Sequence, residues 1–94
     1  MQMTAWQVHF AGDSRQTSRW MVDFTREIRG SALFVPRILQ EGPPQILGDQ
    51  RQITVLVMPR PGADFDTARA ALDDITARLQ RKHSRGRRQP PPWA

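Results

Sequence analysis

The sequence predicts a chain of the α/β class, an α+β two-layer sandwich in the order β-α-β-loop-β-α. Two helices lie on one face of a three-stranded mixed sheet, in a reduced ferredoxin-like arrangement. Three observations predict it. Gln52-Ile53-Thr54-Val55-Leu56-Val57-Met58 is the run densest in β-branched and apolar residues, and it reads as a central strand buried on both faces. An earlier stretch around Trp6, Val8 and Phe10 alternates with period two. Two further stretches repeat apolar residues at helical spacing.

In the first strand, Trp6, Val8 and Phe10 share one face while Ala5, Gln7 and His9 share the other. Ala11-Gly12 ends it. Asp13 is placed to cap a helix, with Gln16 three residues on to complete a capping box. That helix runs from Ser14 to Arg29, because Thr17, Trp20, Met21, Phe24 and Ile28 fall on one side of it. Arg19 and Asp23 form an i,i+4 pair on the other side, and Gly30 is a candidate left-handed closing residue. Ser31-Ala32-Leu33-Phe34-Val35 reads as a second strand halted by Pro36, set parallel to the first by a right-handed crossover.

Residues 37–50 contain Gly42-Pro43-Pro44 and Gly48-Asp49 and read as a loop, with one helical turn at Ile38-Leu39 or Gln45-Ile46-Leu47. A fourth strand is absent, hidden in this loop or donated by a partner. After the central strand, Pro59-Arg60-Pro61-Gly62 forces a turn. Asp64 caps a second helix from Phe65 to His83, with Ala68, Ala71, Leu72, Ile75 and Leu79 as its apolar stripe and Asp74–Arg78 as an i,i+4 pair.

Ninety-four residues allow one domain, assigned to residues 1–83, followed by a basic, proline-rich disordered tail over 84–94. A hydrophobic fraction of 38% makes a thin core, which a protein partner or a homo-oligomer would complete. With no cysteine there is neither a disulfide framework nor a thiolate site. The start has no signal-peptide pattern and no window is apolar enough to span a membrane, so a cytoplasmic location is expected.

The net charge of +5 sits entirely at the end of the chain. Through Gln80 there are nine Lys and Arg against nine Asp and Glu, and from there on Arg81, Lys82, Arg85, Arg87 and Arg88 meet no acid. Such a run can contact phosphates, dock on an acidic protein surface or simply keep a marginal domain soluble. Pro90, Pro91 and Pro92 lead into Trp93, an aromatic anchor on a stiff extended segment, although a disordered terminus accounts for the same residues.

Nothing in the pattern assembles a catalytic, cofactor or metal site. His9 is a lone strand histidine, and His83 lies among cations that disfavour a proton or a metal. Ala11-Gly12-Asp13 precedes a helix, but one glycine followed by an acid makes a cap, not a phosphate loop. Asp73-Asp74 and the Asp64/Asp66 pair read as solvated or helix-start carboxylates. Trp6 and Trp20 are in phase with the core faces.

Ser18-Arg19-Trp20, Arg29-Gly30, Val35-Pro36, Pro43-Pro44, Leu47-Gly48, Ile53 to Val57, Leu72 and Leu79 resemble the effector-associated constant component family. These are small bacterial proteins of multi-component conflict or signalling systems. The resemblance covers residues 13–81 and departs from the family at Pro59-Arg60-Pro61-Gly62 and at the proline-tryptophan end. It implies an adaptor with no active site. The expected function is therefore a non-catalytic protein-interaction module, an adaptor or small assembly subunit. The alternatives are a nucleic-acid-binding accessory protein acting through its basic tail, and a virion or particle subunit. No cofactor and no small-molecule substrate is expected.

Overall fold

The computed structural model describes residues 4–84. They form β1 (Trp6–Gly12), α1 (Ser14–Arg29), β2 (Leu39–Gln40), β3 (Gln45–Leu47), β4 (Gln50–Val57) and α2 (Phe65–Ser84). The fold is α+β: two helices and an antiparallel sheet of four strands, not a mixed sheet of three.

β4 pairs with β1 along its whole length, Trp6 opposite Val57 and Gly12 opposite Arg51. Its other edge carries β3 and then β2. Beyond β2, Phe34 makes an isolated bridge to Pro59, supported by Val35 N–H donating to the Met58 carbonyl and Arg60 N–H to that of Leu33. The expected second strand at 31–35 is thus reduced to one bridge, and it lies antiparallel to the end of β4. The expected loop at 37–50 holds two strands in place of a helical turn.

These three pieces form one edge, interrupted twice. Residues 36–38 stand opposite Val57 alone, and residues 41–44 stand opposite Ile53 and Thr54. Each excursion contains proline, which has no amide hydrogen to give to the ladder, so the chain bulges out and rejoins two residues later. β3 and β4 are joined by Gly48-Asp49. A positive φ at Gly48 (65°) and none at Asp49 is the type II′ pattern, which glycine adopts without strain.

Only one face of the sheet is covered. Trp6, Val8, Phe10, Ile53, Val55 and Val57 are buried beneath the helices. Gln7, His9 and Ala11 of β1 are exposed, and Gln52, Thr54 and Leu56 of β4 are half-buried. The expectation that β4 is buried on both faces is therefore corrected. Its polar Gln52 and Thr54 alternate with Ile53, Val55 and Val57, which is the pattern of one-sided burial.

α1 lies on β1 and β4, while α2 packs on α1 and β1. The α1 stripe is buried as its spacing predicts, at Thr17, Trp20, Phe24 and Ile28. Phe10 stacks on Trp20 at 5.1 Å and Trp20 on Phe24 at 4.6 Å between ring centroids, so three aromatics tie strand to helix. Trp6 meets Phe34 edge-on and Phe65 at a tilt, with the Arg69 guanidinium 5.8 Å from its ring. Ala68, Leu72, Ile75 and Leu79 bury the inner face of α2.

Both helix starts follow the sequence. Asp13 accepts from Gln16 N–H while the Gln16 side chain accepts from Asp13 N–H, a complete capping box. Asp64 accepts from the Thr67 amide and hydroxyl. Gly30 differs from expectation: it closes α1 in a right-handed conformation, φ −77°, with its N–H donating to the Arg26 carbonyl and the Ser31 N–H donating to that of Ile28.

The burial contrast along α1 has a direct consequence. Phe24→Ala, at a fully buried position, is expected to lower unfolding free energy by about 3–5 kcal/mol in urea titrations. Val22→Ala on the exposed side should change it by no more than about 0.5 kcal/mol. Equal effects would contradict this packing.

Candidate interaction site

α2 runs antiparallel to α1, and a seam of charge joins them. Arg78 bonds Glu27 across the helices at 3.1 Å and Asp74 on its own helix at 2.9 Å. One turn further on, Asp23 Oδ2 accepts from Lys82 Nζ at 2.8 Å and lies 2.9 Å from His83 Nε2. An ionised carboxylate only accepts, so that ring nitrogen carries the hydrogen. The His83 side chain is 7% exposed, edge-on to Phe10, and its carbonyl takes a hydrogen bond from the Gln16 amide.

Asp23 is thus the acid beside His83 that sequence reasoning missed. The two lie 60 residues apart, and no local spacing announces their meeting. The expected Arg19–Asp23 pair is replaced by these contacts, with Arg26 the nearest cation on α1 at 3.9 Å. Asp23 is held below the usual carboxylate range, chiefly by the Lys82 hydrogen bond. Burial opposes the shift and His83 adds to it. Arg78 is held above its ordinary value by Glu27 and then Asp74.

Of the expected tail contacts, Arg81 is exposed on the last turn of α2 and Lys82 is engaged by Asp23. Arg85, Arg87, Arg88, Pro90, Pro91, Pro92 and Trp93 lie outside the described residues, as does all of the expected 84–94 tail beyond Ser84. His9 sits on the open sheet face, 2.8 Å from the Thr54 hydroxyl that faces it across the ladder. Beside it Gln7 donates to Glu41.

Among the described residues no group of three or more His, Asp or Glu stands close enough to hold a metal ion. No helix among them is long and apolar enough to cross a membrane.

Besides Val22 of α1 and Phe65 of α2, the exposed large apolar side chains gather at one edge. Leu39 of β2 is 43% exposed, and Ile46 and Leu47 of β3 are 68% and 64% exposed. Among the described residues, nothing pairs with the outer edges of β2 and β3. Unpaired strands carrying exposed aliphatic residues are surfaces on which a second chain can dock. No family model, curated protein or solved structure matches this chain.

Asp23→Asn is expected to lower stability at neutral pH by about 0.5–1 kcal/mol, since it weakens one hydrogen bond to the exposed Lys82 and one to the buried His83. The folded carboxyl lies below its unfolded value. Its contribution is therefore complete above the ordinary carboxylate range and is lost as pH falls through the folded value. The gap between wild type and variant in urea midpoints should close on acidification, and a gap that persists unchanged at low pH would contradict this role.

Proposed function

We propose that this chain is a non-catalytic protein-interaction module, an adaptor or small assembly subunit, working through the edge formed by β2 and β3. The observation that carries the reading is the exposure of the consecutive Ile46 and Leu47, one on each face of a short strand with an open outer edge. Burying two such side chains against a partner contributes about 1.5–3 kcal/mol each by the area rule, before the costs of association. The resemblance to effector-associated constant components supports the same reading, with a bacterial conflict or signalling system as its setting. Likeness to ferredoxin-like sandwiches is proposed only for the layering, helices over one face of a sheet.

Binding of nucleic acid by the basic tail is the weaker proposal, because Lys82 is already engaged by Asp23. A particle subunit is a special case of the assembly reading.

The test is light scattering after gel filtration, alone and with the proteins encoded beside it. A self-assembly or complex that is insensitive to nuclease is expected, and Ile46→Lys with Leu47→Lys should weaken it at least about tenfold while leaving circular dichroism unchanged. A monomer that binds none of those proteins, or a complex indifferent to both substitutions, would refute the proposal.

A further inference from the structure

We infer that the groove between α1 and the interrupted sheet edge receives an acidic protein segment in which carboxylates alternate with apolar side chains. This rests on the interaction-module reading and names the chemistry of the partner.

Two hollows of about 340 and 260 Å³ adjoin along this flank, sharing Met21 and Gln40 as walls. Arg51 stands at one and Arg29 with Arg37 at the other, and no carboxylate lines either. All three arginines are exposed, and none has an ion-pair partner among the described residues. The absence of acid follows from the fold: the carboxylates of α1, Asp23 and Glu27, are turned to the opposite flank and engaged by α2. An arginine fork without a local carboxylate is free to take one from a partner in two parallel hydrogen bonds.

Charge alone would suit a phosphate backbone equally well, and the lining decides between them. Met21, Ile38 and Ile53 contribute apolar surface to the groove. Ile46, which pairs with Arg51 across the ladder, stands exposed beside it. No aromatic side chain lines either hollow, so unstacked bases would find no platform there. Aliphatic surface beneath arginines instead complements a segment that offers leucine or valine between aspartate or glutamate. The hollow on the other flank of α1, against Lys82 and His83, is unlike this one because it contains the paired Asp23.

The experiment is fluorescence anisotropy with the full chain and three labelled probes: a peptide alternating Glu or Asp with Leu, the same peptide with Gln and Asn for its acids, and an oligothymidylate. Two variants accompany wild type, Arg29→Gln/Arg37→Gln/Arg51→Gln for the groove and Arg81→Gln/Arg85→Gln/Arg87→Gln/Arg88→Gln for the tail. Each variant removes charge alone, and circular dichroism checks that it is folded.

The acidic peptide should bind in preference to the other two probes and release as salt is raised. Its affinity should fall about tenfold in the groove variant and persist in the tail variant. Loss in the tail variant alone would overturn the inference. Tighter binding of the oligothymidylate through the same three arginines would replace it with a nucleic-acid groove. Failure of the acidic peptide to bind wild type would also overturn it, and if the edge-dependent assembly of the preceding section survives, the interaction module stands without this partner. If both fail, both readings fall.

Discussion

Pairing along both edges of β4, with burial of only one of its faces, is the constraint from which the rest of this structure follows. The long regular partner, β1, supplies Trp6, Val8 and Phe10 to the covered side, and Phe10 continues into α1 through Trp20 and Phe24. Both helices must then share that side, because that is where the apolar stripes of strands and helices meet. The other face keeps Gln7, His9 and Thr54, where Gln7 donates to Glu41 and His9 meets the Thr54 hydroxyl.

The second edge of β4 obeys the same backbone demand with a poorer sequence. Leu33 to Leu47 approaches it three times and is thrown off twice at prolines. A continuous strand there would close the sheet tightly against α1; the interrupted one leaves hollows and exposed aliphatic side chains. Charge on α1 divides in the same sense. Its two acids face α2, where Lys82, His83 and Arg78 meet them, and the flank towards the broken edge is left to arginine, serine and threonine. Ion pairs on such a surface contribute little to stability, about 0–1 kcal/mol each, but they engage both acids of α1 on the flank away from the broken edge.

Much of this was legible where the signal is local. The alternation of β1, the stripe and capping box of α1 and the stripe of α2 are short-range patterns, and each element forms where its residues indicate. β2 and β3 were not legible as strands, since two and three exposed residues beside prolines and glycines carry no burial alternation. The Gly48-Asp49 pair between Leu47 and Gln50 was the available hint, a two-residue hairpin signature. Leu56 among Ile53, Val55 and Val57 disguised one-sided burial as two-sided. The site was less legible still: Arg81 and Lys82 were visible as basic residues, but the Asp23 contact to His83 and the meeting of Arg29, Arg37 and Arg51 on one groove depend on long-range packing.

The measurement that bears most directly on the account is an amide chemical-shift map of the full chain, recorded while an acidic, leucine-containing peptide is added. The account predicts shifts at Ser18, Met21, Thr25 and Arg29 of α1 and in the edge residues 36–53, with the Asp23, Lys82 and His83 amides nearly unmoved. Shifts confined to α2 beyond Gln80 and to residues 85–94 would contradict it, because the basic end of the chain and not the groove would then meet the peptide.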